Sequence, residues 1–168
     1  METAANIVKC ELAGEVLRSC GTLRLRVNGA SMMPSVWPGD TLRIQREDFE
    51  AIATGDVVLF QREGRLVAHR VIATAGEFEN CEWTTQGDGM PTADAPVTAS
   101  EMLGKVDLIE RGGRCLEPRA VVTFRERLIA NLVRRSDWAA RILARGHALR
   151  RGARRRDALC PTRLSGGS

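Results

Sequence analysis

At 168 residues and 43% apolar, the chain suits one domain with a real core, and with no Tyr and only four Phe that core is aliphatic. No stretch reaches the ~18 apolar residues of a membrane-spanning helix, and the N-terminus METAANIVKCELAGEV starts acidic without a continuous apolar run, which argues against a secretory signal. The net charge of +4 conceals a division: residues 121–168 hold twelve Arg against three acids (+9), whereas residues 1–120 hold thirteen Lys plus Arg against eighteen acids (−5).

In chain order, residues 4–19 are predicted helical, with Val8, Leu12 and Val16 recurring every four positions and Ser19-Cys20-Gly21 as the stop. Strand-like runs follow at 22–27 and 41–46. Between them lies NGASMMPSVWPGD, residues 28–40, a corner rich in turn residues that can present Ser31. Short strands are predicted at 57–61 and 65–73, joined as a hairpin by Arg62-Glu63-Gly64. Further strands are predicted at 78–86, 97–100 and 103–110, with a polar loop GDGMPTADAP at 87–96, and 115–124 reads as the last strand or its exit. Beyond, Phe124, Leu128, Leu132, Ala139 and Leu143 share one face of a basic helical segment, with Ser136-Asp137 as a cap before a second helix and a frayed end from Leu159.

Many short strands with Gly-rich turns, and no helices alternating through the middle, favour a mainly β, compact, coiled domain over an α/β sheet. The division is therefore an N-terminal helix at 1–21, a β-domain at 22–120 and an Arg-rich helical extension at 121–168. The extension reads as a solvated helical face packed on the body, or as a surface for the inner membrane, for protein or for nucleic acid. The five cysteines (Cys10, Cys20, Cys81, Cys115 and Cys160) form no zinc-like short-spaced pair, so reduced thiols in a cytoplasmic protein are expected.

Turn serines and strand histidines are ordinarily structural. Here, however, His69 is the only histidine in the body of the chain; His147 lies in the basic tail. An imidazole can take a proton from an alcohol and return it to a leaving group. Asp88 and Asp94 follow in the polar loop. A serine in a shaped turn, a histidine on a strand and an aspartate on a loop are the parts of a Ser-His-Asp site, which is defined by geometry rather than chain order. No metal or organic cofactor is required. Met32, Met33, Val36 and Trp37 read as lining of a substrate cleft or as simple core.

Five boxes in order resemble the signal peptidase I superfamily, which includes the self-cleaving repressor proteases: Gly29-Ala30-Ser31-Met32-Met33-Pro34 with Gly39-Asp40, Gly55-Asp56 before Val57-Val58-Leu59-Phe60, His69-Arg70-Val71-Ile72, Gln86-Gly87-Asp88-Gly89 through Asp94, and Leu103-Gly104-Lys105-Val106. With no lysine between Lys9 and Lys105, the chain is most similar to the histidine-base branch: the archaeal, endoplasmic-reticulum and sporulation-type enzymes. The resemblance implies a coiled β-domain of the signal peptidase and self-cleaving repressor type. It implies Ser31 as nucleophile, His69 as general base, Asp94 as first choice to orient His69 and Asp88 as second, supporting the site or sharing the acid role. It further implies hydrolysis of an extended peptide or protein after small residues.

Two departures stand out. Gly29 occupies the place of the second serine of signal peptidases, so the oxyanion would rest on backbone N–H groups, chiefly that of Ser31, with Gly29 and Ala30 kept small for access. No membrane anchor precedes the serine box, so the expected protein is cytoplasmic or peripheral at the inner membrane. Self-cleavage at Ala13-Gly14 or Cys20-Gly21 is a weaker reading, and no dedicated DNA-binding domain is expected. Two other classes stay open: a catalytically silent peptide-binding relative, and an adaptor that binds membrane or nucleic acid through its basic tail.

Overall fold

The structure, a computed structural model, describes residues 2–76 and 81–119. The predicted helices of 121–168, and the first residues of the strand expected at 78–86, lie outside the described residues. The described chain is mainly β, with one long helix, α1 (Glu2–Cys20). Eight strands follow: β1 (Thr22–Arg26), β2 (Thr41–Gln45), β3 (Val57–Arg62), β4 (Arg65–Ala75), β5 (Glu82–Gln86), β6 (Val97–Thr98), β7 (Met102–Arg111) and β8 (Arg114–Leu116). They form one antiparallel sheet in the order β1-β2-β7-β3-β4-β5-β6, with β8 paired to β7. Among the described residues no helix is long and apolar enough to cross a membrane.

β3 explains how one sheet makes a core. Val57, Val58, Leu59 and Phe60 are all buried, as an unbroken apolar run predicts for a strand covered on both faces. Because successive side chains alternate sides, Val57 and Leu59 enter a cluster with Leu17, Leu42, Ile44 and Val106. Val58 and Phe60 enter a second one with Ile52, Val71, Trp83 and Met102. The sheet is thus apolar on both sides near its middle. β7 is inserted beside β2 at an irregular register between Arg43 and Ile44. Gly104 permits the approach there, since a Cβ would lie 2.5 Å from the Gln45 carbonyl oxygen.

The face that α1 buries differs from the predicted one. Cys10, Ala13, Gly14 and Leu17 are buried, at helical spacing, whereas Val8 and Leu12 are 59% and 61% exposed. Small residues decide the matter: a Cβ at Gly14 would meet Leu103 of β7 at 3.7 Å, so this side lets the helix come close. Gly21, at φ +72°, ends the helix and donates its N–H to the Leu17 carbonyl. Ala13-Gly14 is consequently held in helix and buried, not offered as an extended peptide. Cys115 is disulfide-bonded, while Cys10, Cys20 and Cys81 are free, so the all-reduced expectation does not hold at Cys115.

Candidate active site

Ser31 lies at the second position of a tight turn closed by the Met33 N–H on the Ala30 carbonyl, at 3.1 Å, and followed by a cis Met33-Pro34 bond. The corner is anchored at its far end. Asp40 is fully buried, accepts the Trp37 N–H at 2.7 Å and pairs with Arg111 of β7 at 2.8 Å. Arg111 also donates to the Ser35 carbonyl at 2.7 Å. The Gly-Asp that closes the corner is therefore a clamp on the serine loop rather than a reacting group.

His69 is carried by β4, opposite Val58 of β3, and is 6% exposed. Its ring stands edge-on to Phe60, with centroids 6.2 Å apart. The Nδ1 atom lies 2.7 Å from Asp94 Oδ2, and the Nε2 atom lies 2.9 Å from Ser31 Oγ. A carboxylate can only accept, so Nδ1 bears the proton and donates to Asp94. In the neutral ring this leaves the Nε2 lone pair facing the serine hydroxyl, the tautomer a general base needs. Ser31, His69 and Asp94 thus form a Ser-His-Asp catalytic site suited to peptide hydrolysis.

Asp94 is itself held. The Thr85 hydroxyl donates to Asp94 Oδ2 at 2.7 Å, and the Asp94 N–H donates to the Thr85 carbonyl at 2.8 Å. Thr85 is fully buried on β5. Sequence reasoning missed it, because a threonine in a strand is an ordinary β-former; its only signal is a position nine residues before the acid, at the base of the same loop.

Asp88 has a different partner. Arg70 follows His69 on β4 and so points to the other face of the strand. It grips Asp88 through Nε and Nη2, both at 2.8 Å, with side chains 7% and 3% exposed, and donates Nη1 to the Gly55 and Arg119 carbonyls. Asp88 makes no hydrogen bond to His69. The pair acts on the serine from behind: Asp88 sits between Gly87 and Gly89, and the Gly89 N–H donates to the Ser31 carbonyl at 2.8 Å. Gly87 presses on both catalytic residues, since a Cβ there would lie 2.7 Å from the Ser31 carbonyl oxygen and 3.0 Å from His69 Nε2. At Gly29, by contrast, an added Cβ would meet nothing within 4 Å, so the chain's own packing does not require glycine.

A cleft of about 580 Å³ opens at Ser31 and His69. Gly29 and Met32 line it, whereas Ala30 and Met33 do not. Met32 and Val36 are also core residues, so the two readings of these apolar side chains hold together: their outer surface is cleft floor and the rest is core. Met33 is wholly buried. Among the described residues no group of His, Cys, Asp and Glu has metal-site geometry.

No family model matches the chain, and no curated protein is similar to it. The resemblance to the signal peptidase I and self-cleaving repressor superfamily, its histidine-base branch included, is corrected accordingly. That superfamily's signal peptidase and repressor mechanism pairs serine with lysine, whereas here a histidine stands between Ser31 and Asp94, the arrangement of a Ser-His-Asp protease. The boxes that carried the resemblance have local reasons of their own. Asp40 and Asp56 fasten turns, and Arg70 and Asp88 form a buried ion pair.

Proposed function

We propose that the protein is a serine endopeptidase that binds its substrate as an extended strand in the Ser31 cleft and cuts after small residues. The observation that carries this reading is the unbroken relay Ser31 Oγ, His69, Asp94 at the mouth of a cleft flanked by open strand edges. β1 is paired only with β2, and β4 takes up β5 only from Arg70 onward. Among the described residues, both the outer edge of β1 and that of β4 ahead of Arg70 are unpaired, and residues of both line the cleft. An extended peptide laid there can use main-chain groups for affinity, which sets register independently of its side chains.

The chemistry follows from the atoms. His69 Nε2 takes the Ser31 proton as the hydroxyl oxygen attacks the peptide carbonyl, and Asp94 stabilises the resulting imidazolium. The Ser31 N–H makes no hydrogen bond among the described residues, which leaves it available to the oxyanion. His69 returns the proton to the departing amine, and water, activated the same way, releases the acyl group from Ser31. Met32 and Val36 line the cleft together with Ser31, and their apolar surface suits small aliphatic side chains at the cut.

The reading is tested with quenched-fluorescent decapeptides that carry Ala, Gly, Leu or Phe before the central bond. Cleavage is expected for the Ala and Gly series, abolished in Ser31→Ala. Equal cleavage of the Phe series would overturn the small-residue specificity, and cleavage that survives Ser31→Ala would overturn the site.

A further inference from the structure

The cleft that begins at Ser31 and His69 has a charge pattern that the catalytic step does not use. Its floor is apolar and half-buried, made by Leu25, Val27, Leu66 and Ala68 beside the core. Its charged lining, the catalytic histidine aside, is of one sign. Lys9 comes from α1, Arg26 from β1 and Arg65 from β4, with no Asp or Glu among the lining residues. All three are exposed, and none has an ion pair among the described residues. Their neighbours on the same elements do: Arg18 of α1 pairs with Glu15, Arg24 of β1 with Glu110, and Arg62, across the hairpin from Arg65, with Glu101.

Lone cations on a surface are ordinary. Three from separate elements, converging on one cleft without an acid, are not what the composition favours, because residues 1–120 carry five more acids than bases. Cations on the rim of an apolar-walled cleft focus a positive potential into it. Arg65 stands four residues from His69 along β4, about 13 Å at ~3.3 Å per residue.

We propose that this cleft selects peptides with acidic side chains about three to five residues from the bond that is cut, recognised by Lys9, Arg26 and Arg65. The inference rests on the reading that the cleft binds extended peptides.

The test separates binding from cleavage. Fluorescein-labelled decapeptides with central alanines carry Asp, Asn or Lys at one position, three to five residues to either side of the centre. Their binding to full-length Ser31→Ala is followed by anisotropy at about 50 mM and about 500 mM salt, where screening lengths differ several-fold. At one or more positions the Asp peptide is expected to bind about five- to tenfold tighter than its Lys counterpart at low salt, as a few exposed ion pairs allow. The gap should close at high salt, and Arg65→Glu, an exposed position, should shrink or reverse it. Equal binding of Asp, Asn and Lys peptides, or a preference untouched by both Arg65→Glu and Arg26→Glu, would overturn the inference. Wild-type cleavage of the same peptides is measured alongside. Cleavage blind to charge removes the acidic preference and leaves the peptidase standing. Charge-selective binding without any Ser31-dependent cleavage keeps the preference and removes the peptidase.

Discussion

Two aspartates six residues apart do different work, and strand geometry is the reason. Asp94 lies on the His69 side of β4 and Asp88 on the Arg70 side, so one acid orients the base while the other pins the glycine loop behind the serine. Substitution should separate them. Asp94→Asn leaves the fold intact but lets the ring adopt the wrong tautomer, and kcat is expected to fall about 10³- to 10⁴-fold with little change in urea midpoint. Asp88→Asn strips a charge from a buried pair and leaves Arg70 without compensation, which costs about 3–5 kcal/mol of stability. A urea titration of both variants beside peptidase assays checks this; similar stability losses in the two would mean that Asp94, too, is chiefly structural. At this scale Ser31, His69 and Asp94 were legible because each is a reactive type at a position with few competitors: one histidine in the body, two serines in the corner at 28–40, two acids in one loop. Which acid faced the ring was open until the register of β4 and β5 was known. Thr85 was not legible at all, since its hydroxyl matters only through where Asp94 folds back.

Among the elements, β3 was readable and α1 was not, for one physical reason. Four consecutive apolar residues bounded by turns can be satisfied only by burial on both faces, so Val57–Phe60 admits one environment. α1 carries two apolar stripes, Ile7/Val8/Leu12 and Cys10/Ala13/Leu17, and periodicity cannot choose between them. Close approach to β7 chose the one with the small residues. Leu17→Ala should therefore destabilise by about 2–5 kcal/mol, whereas Leu12→Ala should stay within about 0.5 kcal/mol. Chemical denaturation of the two variants decides it, and a larger loss at Leu12 would contradict the packing described. Most strands were found close to their predicted bounds because alternation and Gly-rich turns are local signals; the run expected from 115 is an exception, since it pairs only as Arg114–Leu116 and is out of the sheet at 117–119, where Pro118 cannot donate to a ladder. The insertion of β7 between β2 and β3 is a pairing across more than forty residues, which no local pattern encodes.

Over the whole molecule, the two-faced sheet holds β4 rigid, and β4 in turn carries both the base and the ion pair that steadies the serine loop. The rate advantage of such a site comes from groups already in place: His69 and Thr85 are buried on β4 and β5, and the loops that carry Ser31 and Asp94 are hydrogen-bonded back through Gly89 and Thr85. The five boxes suggested a family through spacing that the fold explains without it: turns need Gly-Asp, and a strand base needs its neighbour paired away from solvent. The acidic body with a basic cleft is the other feature of this scale, invisible in a net charge of +4.

The most direct test of the central claim is whether His69 activates Ser31. Purified protein is treated with a fluorophosphonate probe, and labelling is followed by intact mass and peptide mapping, with Ser31→Ala, His69→Ala and Asp94→Asn in parallel. The account expects a single adduct on Ser31, absent in Ser31→Ala and slowed at least a hundredfold in His69→Ala, on the order of general-base contributions. Labelling of Ser31 at the same rate with and without His69, or no labelling of Ser31 in the folded wild type, would contradict it.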